Sequence, residues 1–367
     1  MIPALLYHTI FLYVVIVLTL FQSFSINRLS YANLAKGKDT FLSALIFTFI
    51  LAIWIGQRPL SMEAFGDTVV YAHTYQTMQS GVNLSNSLEG DWLWRQLMYW
   101  CAKHMDVSCF FTIVAMGYSG FLLLACKRLM PKNTYAALLF NLGALSFFSY
   151  GTNGIRNGLA CSLVLFVLSL ALGTRKEKIV AVFLGFCAVF IHKSTTLPIA
   201  MLVVSSFLIK SFKWAYIFWI ASIAISLVAG GAMESLFTGL GFDDRLDNYI
   251  ANADAYAAKG FKSGFRWDFL LYSMMPIVLG YYVVIKRGIQ DKTYLLLLNT
   301  YTLSNAFWVM LIRASYSNRF AYLSWFMYPM VLAYPLFKLN IWENRQGQRV
   351  SLIMMAHISF TWIMSLV

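Results

Sequence analysis

Apolar runs approaching or exceeding about 18 residues recur from one end of the chain to the other, separated mostly by short polar turns. Twelve stretches fit this pattern: 3–25, 40–56, 107–126, 134–150, 156–173, 179–192, 196–209, 214–231, 268–285, 293–312, 320–337 and 350–367. A backbone in hydrocarbon has no water to bond to, so such runs fold as helices that satisfy their own amides. The pattern predicts an all-α polytopic membrane protein of about 12 transmembrane helices, one integral membrane domain over residues 1–367. The first run, Pro3 to Phe24, has no basic residue before it and no small-residue cleavage pattern after it, and reads as a retained span with the N-terminus outside.

Two longer segments, 57–106 and 232–267, break the rhythm and mix aromatic, acidic and basic residues. In the first, Leu93, Leu97, Trp100 and Cys101 fall at helical spacing beside Trp92, Trp94 and Tyr99, which predicts an amphipathic helix in the interface between Asp91 and His104. The second has Ala-rich helical character between Asp243 and Ala258. Both segments are expected to carry short helices.

Composition agrees with a membrane chain, since 60% of residues are hydrophobic and 12% charged, against about 25% charged in soluble domains. No segment between the apolar runs exceeds the roughly 50 residues of a small soluble domain. The formal net charge of +13 is one-sided. With turns placed alternately, the loops 26–39, 127–133, 174–178, 210–213, 286–292 and 338–349 hold seventeen Lys and Arg against four acids, the whole net charge. The positive-inside rule makes these loops cytoplasmic, puts both termini and the two long segments outside, and removes nucleic acid as a reason for the high pI. Cys101, Cys109, Cys126, Cys161 and Cys187 lack metal-ligand spacing and read as packing residues, with a Cys101–Cys109 bridge the less favoured alternative.

The stretch from Ser149 to Ser194 holds two apolar runs joined by the basic turn Arg175–Lys178. Arg156 heads the first run and His192 ends the second, so a helical hairpin puts both at the face opposite that turn. Thr152 or Asn153 can cap the helix that Arg156 opens, and its N-terminus would add positive potential to the guanidinium, making an anion site. A snorkelling arginine is the structural alternative. His192, in IHKSTTLP, could take a proton from a hydroxyl, with Lys193 beside it favouring the neutral form. Ser194 or Thr195 can cap the following helix. Arg313 and Arg319 bracket a polar turn with Tyr316 and Asn318, and Arg245 and Arg266 lie in the second long segment; a pyrophosphate needs more than one such fork. Asp67, Tyr71 and Tyr75 would share a helix face suited to sugar, or form an interfacial aromatic belt; Glu89 and Asp91 are weaker candidates.

On these pieces the chain resembles the EpsG family of Wzy-type polysaccharide polymerases. The carriers are Asp67-x3-Tyr71 with Glu89 downstream, Arg156-x3-Ala160, His192-Lys193-Ser194 and Arg319-x2-Tyr322. The resemblance implies a GT-C-like bundle in the bacterial inner membrane that joins undecaprenyl-pyrophosphate-linked oligosaccharides at the outer face. It implies those lipid-linked units and the bilayer as partners, together with a chain-length regulator protein. Pyrophosphate is already a good leaving group, so no cofactor and no metal are expected, and no Asp-rich or His-rich cluster appears in the sequence. On this reading Arg156, Arg313 and Arg319 take the pyrophosphate, with Arg245 and Arg266 closing over it. His192 is the base, Asp67 a reserve base, and Tyr71, Tyr75, Glu89 and Asn157 contact sugar. Two rivals stay open. One is a transporter or flippase, disfavoured by the lack of an internal repeat or a broken span with mid-depth charge. The other is a membrane acyltransferase, whose usual acyl-CoA donor is cytoplasmic.

Overall fold

A computed structural model describes residues 2–82, 91–239, 264–314 and 317–366, and these are helical, with no strand among the described residues. Helices occupy all twelve expected stretches. Among the described residues five are long and apolar enough to cross a bilayer by length and composition: Leu6–Ile26, Val107–Leu129, Phe212–Met233, Trp267–Lys286 and Ser317–Lys338. Phe41–Gly56 and Ile155–Leu170 are apolar but shorter. The chain divides into two compact units, residues 1–195 with 333–367, and residues 196–332.

The first unit begins with α1 (Leu6–Ile26), α2 (Tyr31–Ala35), α3 (Phe41–Gly56), α4 (Met62–Gln79), α5 (Trp92–His104) and α6 (Val107–Leu129). It continues with α7 (Thr134–Leu142), α8 (Phe147–Thr152), α9 (Ile155–Leu170) and α10 (Arg175–Ile191). Its basic loops meet at one end. Lys127 Nζ pairs with Asp39 at 2.5 Å, Arg128 with Glu177 at 2.7 Å, Asn133 Nδ2 donates to the Leu34 carbonyl at 3.2 Å, and the Tyr31 hydroxyl to the Lys338 carbonyl at 2.9 Å. Loops 26–39, 127–133, 174–178 and the start of 338–349 therefore share one face of this unit.

Three local expectations change. The stretch 134–150 is not one span: it breaks at 143–146 into α7 and α8, which weakens one argument against a transporter, although the break carries no charged side chain. Arg175–Lys178 is not a turn but the first turn of α10, because Thr174 and Glu177 form a capping box that starts the helix there. Helix α5 forms as expected, yet the stripe it buries is Trp94, Met98, Cys101 and Ala102, while Trp100 stays 57% exposed. It packs on α4, α6 and α10 and is no isolated interfacial helix. All five cysteines are free.

The second unit holds α11 (Thr196–Phe207), α12 (Phe212–Gly239), α13 (Trp267–Gly280), α14 (Lys292–Met310) and α15 (Ser317–Trp325). The unit boundary falls inside α16 (Tyr328–Lys338), and α17 (Gln346–Met364) returns to the first unit. Several buried polar groups in the second unit are paired around α14. Trp219 Nε1 donates to Asn305 Oδ1 at 2.8 Å, Asn305 Nδ2 to Ser324 Oγ at 3.0 Å, and the Tyr301 hydroxyl to the Ser273 carbonyl at 2.6 Å. Such pairing is what an apolar interior demands of its few polar side chains.

Candidate active site

At the end of the first unit away from its basic loops, three side chains far apart in sequence meet. Arg156 lies in the first turn of α9, His192 terminates α10, and Asp91 immediately precedes α5. Local sequence explains each position. The chain breaks between α8 and α9 at Asn153–Gly154, and Gly158 passes so near the Tyr150 carbonyl that a β-carbon there would overlap it. Helix α10 stops because His192 adopts an extended conformation (φ −152°, ψ 111°), and the Thr195 hydroxyl donates back to its carbonyl at 2.8 Å.

Asp91 bridges the other two. Its Oδ2 lies 2.6 Å from Arg156 Nη1, and its Oδ1 lies 3.3 Å from His192 Nδ1 and accepts the Lys193 backbone N–H at 2.8 Å. The side chains of Asp91, His192 and Arg156 are 13%, 9% and 22% exposed, so water screens the cluster weakly. Burial pushes the Asp91 carboxyl up, but the His192 hydrogen bond and charge, the Arg156 charge and the Lys193 N–H outweigh it, leaving the group below its ordinary value. An ionised carboxylate only accepts, so His192 donates its Nδ1–H to Asp91 in either protonation state, and in its neutral form carries its lone pair on Nε2. The 3.3 Å separation is at the long end for a hydrogen bond, as resting acid–base pairs often are. The charge facing His192 is thus the Asp91 carboxylate; Lys193 reaches the cluster through its backbone.

A second layer supports the break before α9. Asn153 Oδ1 accepts the Asp67 backbone N–H at 2.8 Å, and the Thr152 hydroxyl donates to the Phe148 carbonyl at 2.8 Å. Neither residue caps α9, because the N-cap position falls on Gly154, which has no side chain to offer. Thr68 bonds the Thr152 carbonyl and receives Arg58 Nη2 at 2.7 Å, while Arg58 Nη1 donates to the Ile55 carbonyl at 2.8 Å. Arg58 is 5% exposed and sits 4.8 Å from the Phe111 ring centroid, and burial lowers its pKa to about 9. Helix α4 kinks at Phe65 (φ −143°, ψ 57°), just where Asp67 and Thr68 engage this layer.

The remaining sequence candidates are spread more widely. Tyr75 is fully buried, donates its hydroxyl to the Met105 carbonyl at 2.9 Å and stacks on Phe110, so it is a packing residue and not a sugar contact. Tyr71 is half-buried with its ring 5.5 Å from Trp94, and Asn157 Oδ1 accepts the Cys161 thiol at 3.1 Å. In the second unit Arg313 is exposed beside Gly230, with its guanidinium 6.0 Å from the Phe265 ring. Arg319 is half-buried on α15. Arg266 is held bidentate by Asp268 at 2.9 and 2.6 Å, so its fork is already filled and it is a poor closing group for a phosphate. Glu89, Arg245 and Tyr316 lie outside the described residues. Asp91 and Arg58 are the residues that sequence reasoning undervalued or missed. Asp91 offered one signal, a carboxylate ahead of an aromatic helix start that it does not cap.

Fold and site together define a polytopic helical membrane protein whose first unit holds a carboxylate-bridged histidine and arginine at the end away from that unit's basic loops. The EpsG family model matches residues 41–367, and the chain belongs to that family. Membership marks it as a polysaccharide-polymerase-like membrane protein. No curated protein and no solved structure matches the chain.

Proposed function

We propose that the protein is a glycosyltransferase that polymerises undecaprenyl-pyrophosphate-linked oligosaccharide repeat units at the outer face of the inner membrane. The observation that supports it most is the Asp91 bridge between His192 and Arg156, a base and a cation held side by side at the end away from the basic loops. In the proposed step an acceptor sugar hydroxyl attacks the anomeric carbon of the donor glycan. Its proton passes to His192 Nε2 and the carbon–oxygen bond to pyrophosphate breaks. Arg156 meets the charge that builds on the leaving group; one of its nitrogens serves Asp91, and its Nε has no partner among the described residues. Asp91 fixes the imidazole and stabilises its protonated form, as a carboxylate behind a histidine base does. Asp67, tied by its backbone to Asn153, and Tyr71 are the proposed sugar contacts.

Purified protein supplied with lipid-linked repeat units should extend them, with His192→Ala and Arg156→Ala each losing on the order of 10²-fold in rate. Undiminished chain growth by either variant at normal abundance would remove these roles. The break between α7 and α8 favours a second reading, movement of lipid-linked sugar across the bilayer. Transfer of a labelled unit between leaflets without chain growth would select it.

A further inference from the structure

A cavity of about 310 Å³ opens at the basic end of the first unit, where the last turn of α1 meets the first turn of α17. That volume is at the small end of ligand sites. Its floor is closed: the Ser351 hydroxyl donates to the Ser23 carbonyl at 2.6 Å, and Gly347 packs against the Ile26 and Leu29 carbonyls. Its walls differ in chemistry. Asn27, Gln348 and Arg349 supply one side. The other is apolar and faces outward, with Phe24 at 75% and Leu352 at 60% exposure and Met355 behind them.

The charge around this opening is unbalanced. Arg349, in the cavity wall, Arg345 one turn before it, and Arg28 just beyond the end of α1 have no carboxylate partner among the described residues, and Glu343 is the one acid in the connecting 340–345 segment. The first turn of α17 contains no acid, so its positive dipole end is uncompensated as well. On the same face Lys127 pairs with Asp39 and Arg128 with Glu177.

We propose that this cavity binds an anionic glycerophospholipid of the leaflet at the basic face. The phosphate would lie on Arg349, with Asn27 and Gln348 as hydrogen-bonding neighbours, and an acyl chain would run along Phe24 and Leu352. A polar slot opening onto an apolar outward surface suits a ligand with both ends, and a basic pocket between helix ends is the usual receptor for such headgroups. This site is separate from the Asp91 cluster, which lies at the other end of the unit.

The test is native mass spectrometry of the full-length protein released from micelles containing phosphatidylglycerol or phosphatidylcholine of identical acyl chains, with free glycerol phosphate as a third ligand. Retained phosphatidylglycerol should exceed phosphatidylcholine, and Arg349→Gln should cut its retention about fivefold. Met355→Trp, which fills the apolar side and leaves every charge in place, should cut retention as well. Equal retention of the two lipids would overturn the proposal. So would retention that survives Met355→Trp, since surface charge alone would then account for it. Glycerol phosphate that competes as well as whole lipid would show a phosphate site, and the lipid assignment would fall.

Discussion

Asp91→Asn isolates the central contact, because the substitution keeps shape and removes one charge. The carboxylate serves Arg156 at 2.6 Å, His192 at 3.3 Å and the Lys193 N–H at 2.8 Å, so its loss disturbs all three. Removing one partner of a buried ion pair costs about 3–5 kcal/mol. With 13% and 22% of these side chains exposed, and with the amide oxygen still able to accept from Lys193, about 2 kcal/mol is the better expectation for stability. The catalytic loss should be larger. An asparagine amide can donate to Nδ1, which moves the imidazole proton to Nε2 and leaves no lone pair for the acceptor hydroxyl; loss of the carboxylate also destabilises the imidazolium. A reduction of about 10²- to 10⁴-fold in chain-growth rate follows. The assay is the initial rate of extension of lipid-linked repeat units by purified protein, beside its thermal midpoint in the same detergent. A wild-type rate from folded Asp91→Asn protein would refute the reasoning.

Protonation should mimic that variant. Because the Asp91 carboxyl lies below its ordinary value, the pairing stabilises the fold fully above about pH 4 and is lost as pH falls through the depressed value, so the thermal midpoint should drop there and drop less in Asp91→Asn. Arg156→Lys keeps the charge and loses the fork; its rate should lie between wild type and Arg156→Ala, about 10-fold down, and a rate equal to wild type would show that a point charge suffices. Gly158→Ala should lower the thermal midpoint by the equivalent of about 1–3 kcal/mol, because its β-carbon meets the Tyr150 carbonyl; an unshifted midpoint would show that the α8–α9 junction yields easily. Thr68→Val strands Arg58 Nη2 and should cost about 1–3 kcal/mol in the same measurement, with a smaller loss of rate than Asp91→Asn.

Much of this architecture is legible in the amino-acid sequence. Arg156 and His192 stood out because they are rare ionisable groups at the ends of apolar runs, and the hairpin carrying them folds as α9 and α10. The shared face of the basic loops followed from charge counting, and contacts such as Lys127–Asp39 realise it in the first unit. Asp91 was harder. It lies 65 positions from Arg156 and 101 from His192, and no local periodicity encodes a contact across such separations. The helix it precedes looked interfacial because its aromatic residues are many; which of them turn inward is decided by α4, α6 and α10, not by spacing alone. Tyr75 misled for the same reason, since four-residue spacing from Tyr71 gives a face but not the neighbour that covers it. Thr152 and Asn153 have the chemistry of caps, but the helix starts one residue later, at Gly154, and Asn153 Oδ1 instead accepts the Asp67 backbone N–H.

The most direct test is the state of the lipid carrier in cells from which the protein has been deleted, read by mass spectrometry of extracted lipid-linked glycans together with their leaflet exposure. Single repeat units, accessible from outside, should appear in place of a ladder, with the same pattern on complementation with His192→Ala. A ladder that persists, or single units confined to the inner leaflet, would contradict the proposed polymerisation.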